Sequence, residues 1–200
     1  AQLYYVGNTT EPTRAKFYGD VNAKLTEMST DLLFFELELN RIDDVALEKA
    51  MKVPALVHYG PWIENLRKEK PYQLDDKIEQ LFLEKSQTGA GAFNRLFDET
   101  MASLRFHVDG QELTLEPTLN MMQSPDEAKR KAGSDALAKV FGENLRLFTL
   151  ITNTLAKDKD ISDTWRGFKD IADARHLSNR VEPEVVAALV EAVREAYPKL

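Results

Sequence analysis

Cysteine is absent from the 200 residues, which removes disulfides, thiolate zinc clusters, iron–sulfur centres and a cysteine nucleophile from consideration. Positive charge is also short: 26 Lys and Arg stand against 33 Asp and Glu, a net charge of −7. Neither half of the chain carries a basic excess. A phosphate backbone needs a concentrated positive face, so nucleic acid is not expected as a partner. No apolar run approaches the roughly 18 residues of a membrane helix, and no charged-then-apolar start marks a secretory signal. No membrane partner is therefore expected, and the expected compartment is the cytoplasm. What remains is 43% hydrophobic and 30% charged residues, the balance of an ordinary folded domain.

The apolar spacing is helical almost throughout. Met28, Leu32, Phe35, Leu39 and Ile42 step by four, three, four and three, along one helix face. Leu33, Phe34 and Leu37 add a second apolar side, which predicts a helix buried on much of its circumference. Asp43-Asp44 read as a cap before 45–51, Pro54 opens a segment through Trp62 and Leu66, and Pro71 ends it. Asp75 is placed to cap a helix with Ile78, Leu81 and Phe82 inside, and Gly89-Ala90-Gly91 breaks it from the next.

One stretch alternates with period two. Residues 104–108 and 111–115 flank Asp109-Gly110, a pair that supplies the positive φ angles of a type I′ hairpin turn. A two-residue turn pairs Phe106 with Leu113, Leu104 with Leu115, and His107 with Glu112 on the opposite face. Helix is expected to resume after Pro117. Ser124-Pro125-Asp126-Glu127 reads as serine cap, proline at the first position and a glutamate closing a capping box. One long helix should follow, with Leu137, Val140, Phe141, Asn144, Phe148, Ile151 and Leu155 in a stripe and close packing at Gly133 and Gly142. A polar connection is expected over Asp158 to Asp163. A last helix should start at Pro183, with Val186, Leu189, Val190, Val193 and Tyr197 inward. The expected fold class is all-α, a multi-helix domain with one short β-hairpin at about residues 104–115. Residues 1–73 form an N-terminal helical segment and 74–200 a helical lobe with the hairpin, together one continuous domain.

Chemistry is sparse. His58, His107 and His176 are the histidines, none with a second at i+4. Neither an HExxH helix nor a cysteine–histidine zinc spacing occurs. His107 is explained as the partner of Glu112, and His58 as a helix-end or packing residue. Gly89-Ala90-Gly91 lacks the preceding strand and third glycine of a dinucleotide loop and reads as an interhelical loop. Lys129-Arg130-Lys131 is flanked by acids and reads as a solvated face. Trp165 to Arg180 is the densest mixture of aromatic, basic and amide groups. It could line a groove for peptide backbone or a carboxylate; the stronger reading is a connection whose Asp and Asn cap helices and whose arginines satisfy carbonyls. The residues themselves nominate no catalytic, cofactor-binding or metal site.

An ordered series of segments nevertheless resembles the N-terminal region of oligoendopeptidase F, a thimet-oligopeptidase-like zinc metallopeptidase family. The series runs through 74–79, 93–99, the hairpin at 106–115, 124–132, 153–159, 165–168 and 175–179. The resemblance implies a helical lobe of an enzyme that cuts short peptides inside an enclosed channel. It also implies that zinc, its HExxH helix and a further glutamate ligand belong to a C-terminal catalytic region. The chain ends at Leu200, before such a region, and begins at Ala1 without an initiator methionine. The expectation is an excised lobe, inactive alone, with no catalytic or metal residue of its own. Its partners would be that C-terminal region and short peptide substrates. A stand-alone helical peptide- or protein-binding module is the rival expectation, and self-association through uncovered apolar surface a third.

Overall fold

The hairpin shows how closely local chemistry directs this chain. In the computed structural model, which describes residues 1–199, β1 (Phe106–Val108) pairs antiparallel with β2 (Gln111–Leu113). The register is Phe106 with Leu113 and His107 with Glu112, as the alternation predicts. Asp109 and Gly110 take φ of 51° and 78°, the left-handed pair that a tight right-twisted hairpin requires. The ladder is shorter than expected. Thr114 becomes the N-cap of helix α8, which by the numbering used below spans Leu115–Met121, so Leu115 turns into a helix instead of facing Leu104. Pro117 then lies in the first helical turn, where its missing N–H costs no intrahelical bond.

Before the hairpin come α1 (Gln2–Val6), α2 (Pro12–Arg41), α3 (Asp44–Ala50), α4 (Pro54–Val57), α5 (Gly60–Glu69), α6 (Asp76–Lys85) and α7 (Ala90–Ser103). After α8 follow α9 (Glu127–Glu143), α10 (Leu145–Arg166), α11 (Asp173–Asn179) and α12 (Pro183–Ala196). The all-α class with one hairpin holds. The chain divides into two compact units whose sequences interleave, with boundaries at 28/29, 82/83 and 158/159.

The first unit comprises Ala1–Met28 and Leu83–Asp158. Its core is Leu104, Phe106, Val108, Ala136 and Leu137, so the inward face of β1 packs on α9. Phe106 is completely buried and meets Phe141 edge-on at 5.8 Å; Phe141 in turn meets Phe148 at 6.0 Å. Thr118 is likewise buried, its hydroxyl donating back to the Thr114 carbonyl at 2.8 Å. Near the chain start, Tyr5 stacks on Tyr18 at 4.6 Å and donates to Glu99, which also accepts from Arg95.

Three expectations about helix ends are corrected here. The N-cap of α9 is Asp126, whose side chain accepts from Ala128 N–H; Ser124 caps the turn before it by accepting from Asp126 N–H. The long helix breaks at Asn144, the one polar member of its stripe. Asn144 leaves helical geometry at φ −100°, ψ 5°, while its side-chain amide donates to the Val140 carbonyl. Finally, 158–163 is helix and not a connection. Lys159 and Asp163 pair one turn apart and Thr164 bonds back to the Asp160 carbonyl, so polar side chains support the helix they decorate. The stop comes instead at Gly167, with φ 79° and its N–H on the Asp163 carbonyl at 2.9 Å.

The second unit comprises 29–82 and the described residues from Lys159 on. Its buried side chains are Leu37, Asn40, Ile63 and Leu66. Asp43 caps α3 by accepting from Val45 and Ala46 N–H, and α4 and α5 separate at His58-Tyr59. Arg67 closes the end of α2 by donating to the carbonyls of Leu39, Asn40 and Ile42 and pairing with Asp44.

The predicted burial of α2 around its circumference is not observed. Met28, Leu32, Phe34 and Phe35 are 51–65% exposed. Leu189, Val190, Val193 and Tyr197 of the last segment are also exposed rather than inward, and so is Leu81 on α6. Periodicity reports which side is apolar, not whether this chain covers it.

The two glycines of α9 separate packing from propensity. A Cβ on Gly133 would lie 3.0 Å from Met121 Cβ and 3.2 Å from the Thr118 carbonyl oxygen, whereas one on Gly142 would meet nothing within 4 Å. Close packing is thus confirmed at Gly133 and absent at Gly142. Gly142→Ala is expected to raise unfolding stability by about 0.5–1 kcal/mol through helix propensity. Gly133→Ala is expected to lower it, because α8 must move away. Urea titrations of the two variants check both signs.

Candidate functional site

The histidines do not assemble. His58 lies exposed at the end of α4 with its ring edge toward Tyr59. His107 is exposed on the hairpin, 3.4 Å from Glu112, and His176 is on α11. Among the described residues no group of three or more His, Cys, Asp or Glu is placed to hold a metal ion. In the basic run, Arg130 donates to the Ser124 and Pro125 carbonyls and Lys131 pairs with Asp135, so it serves the helix and its start.

The segment 165–180 does take part in a site. The second unit contains a cleft of about 370 Å³, at the small end of ligand-pocket volumes. From α2 it receives Leu33, Glu36, Leu37 and Asn40, which share one face by their spacing. Leu66 and Glu69 come from α5, Tyr72 and Gln73 from the turn after it, and Glu79 from α6. The end of α10 supplies Asp163 and Arg166, and Gly167 turns the chain so that Phe168 reaches the cleft. Phe168 stacks on Tyr72 with ring centres 4.0 Å apart.

Arg166 and Glu79 are the polar anchor. The guanidinium donates from Nη1 to Glu79 Oε1 at 2.7 Å and from Nη2 to Oε2 at 2.8 Å. Nη1 also donates to the Tyr72 carbonyl at 3.1 Å, and the Leu74 N–H reaches Glu79 Oε1 at 2.8 Å. Phe82 covers the guanidinium at 5.5 Å. Burial alone would raise the Glu79 carboxyl, but the Arg166 donors and the Leu74 N–H overcome it and hold Glu79 below its ordinary value of 4.5. Arg166 is held above its own ordinary value, chiefly by the bonds to Glu79.

Glu69 is at the exposed rim and behaves oppositely. Partial desolvation of its carboxyl, then repulsion from Glu36, raise it, against a smaller opposing pull from Arg180 and Arg166. Deeper in, Gln73 Nε2 donates weakly to the Leu37 carbonyl at 3.4 Å. The side-chain oxygens of Asn40 and Gln73 are buried without a hydrogen-bond donor among the described residues. Asn40 as a whole is only 4% exposed.

The reading of 165–180 as a structural connection is supported in part: Arg166 does satisfy a carbonyl, and Asp173 accepts from Lys169 and Asp170 N–H. What the sequence did not nominate is the set that lines the cleft with Arg166, namely Glu79, Glu69, Asn40 and Gln73. Asn40 carried a signal, as an amide that continues the apolar face of Leu33 and Leu37.

The two glutamates give opposite pH signatures. Because Glu79 is lowered on folding, its contribution is present above the unfolded value and is lost as pH falls through the folded one. Because Glu69 is raised, its charge weakens the fold as pH rises past the unfolded value. Arg166→Met is expected to cost roughly 2 kcal/mol at pH 7, leaving a carboxylate without its donors. Glu69→Gln is expected to raise Tm at pH 7 and to match the parent near pH 3. Thermal unfolding by circular dichroism between pH 3 and 8 checks both.

The family model described as Oligopeptidase F matches residues 38–106, a span that contains α3 to α7 and ends at the first residue of β1. Over 95% of its length the chain is 25% identical to Oligopeptidase PepF of Bacillus subtilis. The crystal structure of oligoendopeptidase-F from Enterococcus faecium superposes on 98% of the chain with a TM-score of 0.87 at 20% identity. The chain spans 30% of the length of the first of these proteins and 40% of the second. In sequence and in fold, the chain is similar to the N-terminal part of oligopeptidase F proteins.

Proposed function

We propose that this chain is the N-terminal, non-catalytic lobe of an oligoendopeptidase F-type peptidase of the cytoplasm, one that hydrolyses short peptides within an enclosed channel. The observation that carries the proposal is the match of nearly the whole chain to less than half of two longer proteins with oligopeptidase names. Fold alone does not assign a role to such a piece; the non-catalytic reading is supported by the lack of an HExxH helix in its sequence. Its task in such an enzyme is to shape a partly closed cavity and position substrate, which lowers the entropic share of the barrier without touching the reacting bond.

Zinc, which the family implies, does not fit the residues of this chain. No histidine, aspartate and glutamate set among the described residues converges, so no step is routed through a metal here, and its ligands are assigned to a C-terminal region of the longer protein. The apolar face of α2 and the exposed residues of α12 support a partner of that sort, because monomeric proteins rarely leave large contiguous apolar patches in water.

The purified chain is expected to bind zinc substoichiometrically and to show no chelator-sensitive cleavage of short peptides. Stoichiometric zinc by elemental analysis, with cleavage that co-elutes with the chain and vanishes on chelation, would overturn the proposal. The coding sequence past Leu200 is expected to continue into an HExxH helix; a stop codon there would favour a binding module without catalysis.

A further inference from the structure

We propose that the cleft of the second unit is a binding site for an organic cation, an ammonium or guanidinium group. Three observations converge on that chemistry. The rim carries Glu36 and Glu69, and Glu69 makes no ion pair among the described residues. Asn40 and Gln73 line the interior, and their side-chain oxygens are buried acceptors that no donor among the described residues reaches. Leaving such acceptors unmet is costly, and an N–H-rich ligand is what satisfies them. The stacked Tyr72 and Phe168 rings line the cleft, and an outer ring face of that pair would receive a cation.

An anion is disfavoured on the same geometry. Arg166 is the cation lining the cleft, and its two terminal nitrogens are already engaged by both oxygens of Glu79 and by the Tyr72 carbonyl. A carboxylate ligand would have to displace Glu79 from a two-point bond. A metal ion is disfavoured because no three of the acidic groups converge. The volume of about 370 Å³ suits a group of side-chain size. Desolvation and repulsion from Glu36 outweigh the pull of Arg180 and Arg166 on Glu69, and a bound cation would relieve that imbalance.

The inference stands apart from the peptidase reading, because its test uses the 200-residue chain and reads binding alone. Arginine amide is titrated into isotopically labelled chain, following the side-chain NH₂ signals of Asn40 and Gln73 by NMR. Saturable shifts at both are expected, with affinity falling on the order of tenfold in Glu69→Gln. That variant is expected to be the more stable one, so weaker binding cannot be attributed to unfolding. Asn40→Leu, which replaces the unmet acceptor by a similar apolar volume, should also bind less tightly. N-acetylarginine amide offers only the guanidinium and glycine amide only the α-ammonium. Binding of either supports cation recognition, and the stronger of the two identifies the source as a basic side chain or a chain terminus. Absence of saturable shifts, equal affinity in Glu69→Gln, tighter binding of N-acetylglycinate, or displacement of arginine amide by micromolar calcium would each overturn the proposal.

Discussion

The second unit is organised by one charged fork, Arg166 on Glu79. The two residues are 87 apart in sequence, so nothing local brings them together. Once formed, however, the pair fixes several elements at once. The guanidinium reaches the Tyr72 carbonyl in the turn after α5, and the carboxylate takes the Leu74 N–H that leads into α6. The end of α10, the 70–72 turn and the start of α6 are therefore held at one point. Both partners are substantially shielded from water, with side-chain exposures of 24% and 11%. A pair in that setting contributes little by its charge alone, since desolvation offsets most of the attraction. Its effect is specificity: any arrangement that parts the two leaves a half-buried charge without a partner.

The cleft follows from that arrangement. Gly167 ends α10 directly after the arginine, and Phe168 is delivered onto Tyr72, whose carbonyl the arginine already holds. The floor is furnished by α2, where Leu37 and Asn40 are the buried members of its inner face. The polar groups of the site fall into two classes. Arg166 and Glu79 engage one another at two points, whereas the Asn40 and Gln73 side-chain oxygens meet no donor among the described residues. A folded chain tolerates unmet buried acceptors poorly, and it is their place on the lining of one cavity that the cation proposal uses.

What could be read from the residues was what local chemistry decides. Asp109-Gly110 dictated the turn and with it the register, because few other pairs take two positive φ angles. Gly133 announced a close approach and Asp43 a cap. Errors arose where two local signals competed. Ser124 and Asp126 are both good caps around a proline, and only the three-dimensional start of α9 selects Asp126. Asn144 lies in an apolar stripe that continues past it, so spacing alone showed one helix where the amide bonded back and made two. The polar run at 158–163 has the composition of a loop, but its one-turn side-chain pairing makes it helix. The cleft was beyond local reading altogether: its anchor spans 87 residues, and its unmet acceptors are defined by what fails to reach them.

The same distinction explains the surface. Phe34 and Phe35 on α2, and Leu189 on α12, sit at correct helical spacing for burial and yet face water. A sequence selected as an isolated domain would pay for such residues in solubility with no return. If they belong instead to an interface, their periodicity is as purposeful as that of the Phe106 core. The first unit supplies the contrast: Phe106, Phe141 and Phe148 form a closed edge-to-face cluster entirely from its own elements. Apolar patterning in this chain therefore has two destinations, an internal core that the chain completes and outer faces that it does not. The proposal that this chain is one lobe of a longer peptidase accounts for both the relatives' greater length and these uncovered faces.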